Sequence, residues 1–168
     1  MNLSLNLPTT DTFSQANSLN RKVTTSLNRL IEINNDRCRE YSKALKETKD
    51  LALKPVFEKY ARQSQAFRNT LKIWVKAYGG EVSHELQRTR SLYKIWVDIK
   101  SIFPSSDREA ILNTCEYIEG MAIDLYKKVL TQTYLPEEAG TELTLQKEEL
   151  MKAYTEIVSL ASLDALYK

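Results

Sequence analysis

Apolar residues recur along most of this chain at alternating intervals of three and four, the spacing of one face of an α-helix, and no run alternates with the period of a strand. A first helix is expected from about Val23 to Lys49, with Leu27, Ile31, Asn34, Cys38, Tyr41 and Leu45 on its buried stripe. Asp50 is placed to cap a second helix, with Pro55 tolerated in the first turns. Its stripe reads Val56, Tyr60, Ser64, Phe67, Leu71, Trp74 and Tyr78, and Gly79-Gly80 ends it where a left-handed residue is needed. Ser106-Asp107-Arg108-Glu109 has the form of a capping box and opens a third helix with Ile111, Cys115, Ile118, Ala122, Leu125 and Val129 inward. Leu135-Pro136 and Gly140 break the pattern before a fourth helix marked by Leu143, Leu150, Tyr154, Ile157 and Ala161.

Two segments stand outside these stripes. Residues 1–22 are polar, without sustained period, and read as a flexible N-terminal arm preceding a single domain over 23–168. Between Gly80 and Pro104 lies a short amphipathic segment with Leu92, Ile95, Trp96 and Ile99 on one side. Adjacent antiparallel helices need no connection of that length, whereas a bundle with one long crossover does. The expected architecture is therefore all-α: a ferritin-like four-helix bundle with a short crossover helix between the second and third helices. Leu92, Trp96 and Ile99 form a candidate partner surface, since exposed apolar patches mark contacts.

Composition narrows the function classes. The 168 residues fit one domain, and a Gly and Pro content of 4 each suits a few long helices. A net charge of +2 does not indicate nucleic-acid binding. The charge is uneven, however: residues 51–100 carry ten Lys/Arg against four Asp/Glu, and residues 101–168 carry six against twelve. Oppositely charged neighbouring helices explain this most simply, with a basic surface on Lys54, Lys59, Arg62, Arg68, Lys72 and Lys76 for an acidic partner as a weaker reading. Cys38 and Cys115 match no metal or redox spacing and read as reduced core residues. The chain shows neither a secretory signal nor an apolar stretch long enough to span a bilayer, so a cytoplasmic protein without membrane association is expected.

Candidate chemistry is sparse. The di-iron sites of ferritin-like bundles take a Glu-x-x-His from each of two helices and a Glu from each of the other two. This chain has one histidine, His84, in Glu81-Val82-Ser83-His84 just beyond the glycine stop, and elsewhere Glu58, Glu148, Glu149 and Glu156 are followed three residues later by Ala61, Met151, Lys152 and Ser159. The remaining metal candidates are Glu32, Asp36, Glu116 and Glu119, acids one helical turn apart that could meet across the bundle around a hard divalent cation with oxygen ligands. Against this, the central polar members of the stripes are Asn34 and Ser64, and acids are seldom buried without a partner. Glu119, between Ile118 and Ala122, is the acid best placed to face inward. No phosphate-binding loop or nucleophile elbow is present.

Four segments resemble, together and in order, a bacterial family of unknown function described as ferritin-like four-helix bundles: Leu30 to Arg37, Tyr78-Gly79-Gly80-Glu81, Trp96 to Lys100, and Asp107 to Leu112 with Cys115-Glu116. The resemblance covers roughly Leu27 to Leu130 and extends to the fourth helix only in character. It implies the ferritin-like fold and a bacterial origin, and no established reaction. Members often read Cys-Glu-x-Gly-Glu where this chain has Cys115-Glu116-Tyr117-Ile118-Glu119-Gly120, so both acids are kept and the glycine is displaced. The resulting expectation is a non-enzymatic protein without cofactor that acts by assembly, as a homo-oligomer such as a dimer, or by binding a protein partner. The alternative is a metal-binding bundle in stress or metal handling.

Overall fold

The structure, a computed structural model, describes residues 10–83 and 108–166. These form four helices and no strand: α1 (Thr10–Glu47), α2 (Lys54–Ala77), α3 (Arg108–Leu130) and α4 (Glu137–Leu166). The all-α four-helix bundle read from the periodicity is the observed fold. His84, Ser106 and the segment with Leu92, Trp96 and Ile99 lie outside the described residues.

The helix ends differ from expectation in three places. α1 begins at Thr10, well inside the segment assigned to an arm, and Ser14 to Lys22 are helical but exposed. No Gly or Pro occurs between Pro8 and Pro55, and once a helix is nucleated each further residue adds a hydrogen bond, so it propagates past its last buried turn. Asp50 does not cap α2: its Oδ1 accepts the Ala52 amide at 2.8 Å, its Oδ2 accepts from Arg108 at 2.8 Å, and the helix starts after Leu53 without a side-chain cap. Gly140 does not break α4 but sits in its first turn, its amide donating to the Pro136 carbonyl at 2.9 Å.

The stop at Gly79-Gly80 is as the sequence requires. Gly79 has φ 71°, its amide donates to the Lys76 carbonyl and the Gly80 amide donates to that of Val75, both at 2.9 Å, which closes a Schellman motif.

Contacts at the ends fix the topology. The segment after α2 returns to the early part of α1, where the Asn28 amide donates to the Glu81 carbonyl at 2.9 Å and Asn28 accepts from the Ser83 amide at 3.0 Å. α3 starts at the opposite end, where Arg108 bonds to Asp50 and, at 3.3 Å, to the Leu160 carbonyl. α1–α2 and α3–α4 are thus antiparallel hairpins with short turns, and the connection between α2 and α3 joins opposite ends of the bundle. α1 packs on α3 and α2 on α4, leaving α2 diagonal to α3.

The core falls into two apolar clusters. One joins Leu27, Leu30, Leu71, Val75, Ala122 and Leu150 near the α1 start. The other joins Tyr41, Phe57, Tyr60, Leu112, Cys115 and Ile157 near the α1–α2 turn. Each fully buried Leu, Ile or Phe contributes about 1.5–3 kcal/mol relative to exposure. The α2 stripe is rotated from its expected position: Phe57 and Val75 are buried, while Val56, Phe67, Trp74 and Tyr78 are half-buried. On α4, Ala153 takes the buried place and Tyr154 is half-buried. Between the clusters each helix carries buried polar residues: Asn34 and Arg37 on α1, Ser64 on α2, Glu119 on α3 and Gln146 on α4.

Candidate functional site

That polar layer is organised by one cation. Arg37 lies on α1 three residues after Asn34 and four before Tyr41, so all three project from one face of the helix. Its side chain and that of Glu119 are both 0% exposed, and their closest approach, from Nη2 to Oε1, is 2.6 Å. Nε donates to the same oxygen at 3.0 Å, Nη1 donates to Asn34 Oδ1 at 3.0 Å, and Nη2 also donates to Gln63 Oε1 at 2.9 Å. The Tyr41 hydroxyl donates to Glu119 Oε1 at 2.7 Å. Glu119 Oε1 thereby carries three hydrogen bonds, while its buried Oε2 has no hydrogen-bond partner among the described residues.

Asn34 extends the layer. Its Nδ2 donates to the Leu30 carbonyl and to the Tyr126 hydroxyl, each at 2.8 Å. Tyr126 in turn donates to Gln146 at 2.6 Å, and Gln146 donates to Glu142 at 2.7 Å. All four helices contribute a member. A guanidinium is suited to this place because its planar fork of donors stays charged at any ordinary pH and can satisfy several acceptors at once.

Burial is the first cause of the shifts at the hydroxyls and the thiol around this layer. Burial, and then the neighbouring Glu119 carboxylate, push the Tyr41 hydroxyl well above its ordinary pKa, so it remains a neutral donor. Burial, followed by Glu119 and Glu40, likewise pushes the Cys115 thiol up and away from the nucleophilic thiolate. Cys38 and Cys115 are both free. The Tyr126 hydroxyl is raised chiefly by burial.

The four acids proposed as metal ligands are distributed unevenly about this layer. Glu119 is inward, as its neighbours in sequence suggested, but its partners on α1 are Arg37 and Tyr41. Asp36 is half-buried and ion-paired with Arg39. Glu32 is half-buried one turn away, its carboxyl raised by desolvation and then by the Asp36 charge. Glu116 is half-buried and accepts from the Tyr154 hydroxyl at 3.2 Å. Among the described residues, no three His, Cys, Asp or Glu side chains stand together where they could hold a metal ion.

The basic residues of α2 are partly engaged. Lys59 pairs with Glu156 of α4 at 2.7 Å, Arg62 pairs with Glu58 at 2.6 Å and Arg68 donates to Asn35 at 2.8 Å. Sequence reasoning missed Arg37, Gln63, Tyr126 and Gln146 as members of the layer. The usable signal was polar residues at stripe spacing: Arg37 between Asn34 and Tyr41, and Gln146 between Leu143 and Leu150.

A family model described as a domain of unknown function, DUF2383, matches residues 22–132. The chain belongs to this family. No protein of curated function matches it significantly. The DUF2383 match takes in α1 from Lys22, α2 and α3, and so includes Asn34, Arg37, Tyr41, Gln63, Glu119 and Tyr126. Gln146 and Glu142, on α4, lie beyond it. Among the described residues no helix is long and apolar enough to cross a membrane.

Proposed function

We propose that this DUF2383 protein is a non-catalytic, ferritin-like bundle that works through its surface, by self-assembly or by binding a protein partner. The observation that carries this reading is the pairing of Glu119 with Arg37. Where a metal-binding bundle directs several carboxylates at one cation, the fully buried Glu119 of this chain is paired with the guanidinium of Arg37. The ferritin-like assignment is supported by two antiparallel hairpins whose single long connection joins opposite ends of the bundle. Two free thiols, one deeply buried, agree with a cytoplasmic setting.

The competing reading is a divalent cation held by Glu32, Asp36, Glu116 and Glu119 in metal handling. Elemental analysis of the purified protein, with melting followed in added Fe²⁺ or Mn²⁺, separates the two. A ligand that binds only the folded state must raise the apparent melting temperature. The proposed function requires substoichiometric metal and an unchanged melt. Stoichiometric metal that is lost on Glu116→Ala and on Glu119→Gln would replace it with the metal-binding reading.

A further inference from the structure

A ladder of polar contacts runs along the seam between α1 and α3. In order along α1, Ser26 meets the hydroxyl of Tyr134, just beyond α3, at 2.8 Å; Asn34 meets that of Tyr126 at 2.8 Å; Arg37 and Tyr41 both meet Glu119; and Asp50, just beyond α1, meets Arg108 at 2.8 Å. The partners descend in number on α3 as they ascend on α1, so the two helices are antiparallel and held in one register.

Apolar packing does not choose that register. On either side of the layer α1 buries Leu30, Ile33 and Ala44, and α3 buries Leu112, Cys115 and Ala122. Residues three and four apart share a helix face, so a slide of one turn, about 5.4 Å, sets one apolar side chain against another. The buried charges respond differently. Arg37 and Tyr41 stand a turn apart and close on a single oxygen of Glu119 between them. After the slide Arg37 lies level with the turn of Cys115 or of Ile123, each four residues from Glu119, and the three bonds no longer meet on that oxygen. A buried charge parted from its partner is strongly destabilising. The contacts at the ends discriminate less, because Ser26–Tyr134 and Asp50–Arg108 are only partly buried and water can replace them.

The layer is also poorly suited to stability alone. Desolvating an ion pair can cost more than the attraction supplies, and apolar side chains of similar volume often stabilise as well or better. Here Glu119 Oε1 takes three hydrogen bonds while Oε2, also buried, has no hydrogen-bond partner among the described residues.

We propose that the Arg37 layer is a register lock, which selects one alignment of α1 on α3 from those that the apolar stripes would accept. A polar residue at an otherwise apolar seam position plays this part in coiled coils, where a single buried asparagine fixes the register. The lock is independent of what the surface of the bundle binds.

The test uses the full chain with spin labels at Lys46→Cys and Lys128→Cys, the natural thiols being removed as Cys38→Ala and Cys115→Ala. Both labelled positions are exposed and lie towards opposite ends of the seam, so their separation, measured by double electron–electron resonance, changes when α1 slides. One variant makes the layer apolar across the seam through Asn34→Leu, Arg37→Met, Tyr41→Phe and Glu119→Leu. The other keeps the layer and removes the end contacts through Ser26→Ala and Asp50→Asn. Circular dichroism follows helix content in each. The parent and the end-contact variant should both give one narrow distance. The apolar variant should stay helical and give distances spread over about one helical turn, 5.4 Å. A single narrow distance in the apolar variant overturns the lock, and so does a spread in the parent or in the end-contact variant. Loss of helix in the apolar variant overturns it as well, because the layer would then be needed to fold the chain and not to choose among folded alignments.

Discussion

Arg37 gives both Nε and Nη2 to a single oxygen of Glu119, at 3.0 and 2.6 Å, and neither side chain touches solvent. Such a pair is costly to desolvate and more costly to break, because removing one member leaves the other charge buried without its partner. Arg37→Met and Glu119→Leu are each expected to lower unfolding free energy by about 3–5 kcal/mol. The double variant should lose less than the sum of the two, since apolar residues of similar volume can fill the layer once both charges are gone. Urea denaturation of all three variants measures the coupling. Additive losses would show that the pair does not act as a unit.

Tyr41 adds the third hydrogen bond to the same oxygen. Tyr41→Phe keeps the ring that packs between Phe57 and Tyr60, at centroid distances of 6.2 and 5.4 Å, and removes only the donor. A bond to a charged acceptor is worth about 1.5–3 kcal/mol, and that is the expected loss on urea unfolding. In the Glu119→Leu background the same change should have almost no further effect, because the acceptor is gone.

Gly80 is a position where added volume is not tolerated. A Cβ there would lie 2.5 Å from Thr24 Cγ2 and 2.7 Å from Thr24 Cβ. Rotating the threonine moves the first atom but not the second, so the backbone must yield. Gly80→Ala should cost about 1–3 kcal/mol, and Thr24→Ala in the same chain should recover only part of it. Thermal melting of the single and double variants reads this directly.

Acid should separate the carboxylates by the sign of their shifts. Asp50 is held below its ordinary value first by the bond from Arg108 and then by the Ala52 amide, and Glu156 is held low by Lys59 and then by the Tyr60 hydroxyl. Groups with lowered folded pKa bind fewer protons when folded. Their stabilisation is complete above the unfolded values, about 3.9 for Asp and 4.3 for Glu, and is lost as pH falls through the folded ones. Glu32 is raised by burial and by Asp36, so it acts oppositely and favours the folded state as pH falls through its folded value. The difference in urea midpoint between wild type and Asp50→Asn should therefore be largest near neutrality and close progressively below about pH 4. A gap constant down to strongly acidic pH would mean that the Arg108 contact contributes nothing to stability.

The sequence determined the helices and a few positions of the layer between the cores. Stripe spacing is local, set by the helical period, so the four helices, the Gly79-Gly80 stop and the polar positions Asn34 and Ser64 could be read from the chain alone. So could the inward direction of Glu119, enclosed by Ile118 and Ala122 on its own helix. What meets Glu119 was decided elsewhere. Whether α1 presents Asp36 or Arg37 to it depends on a rotation of one residue about the helix axis, and that rotation is fixed by how α1 packs against α2 and α3 together. The same holds for Phe57 over Val56, and for Asp50, whose oxygens go to a tight turn and to Arg108, distant in sequence, in preference to a helix cap. Periodicity tells which side of a helix is apolar to within about a residue; only the packed neighbours decide which side chain occupies the seam and which charge it meets.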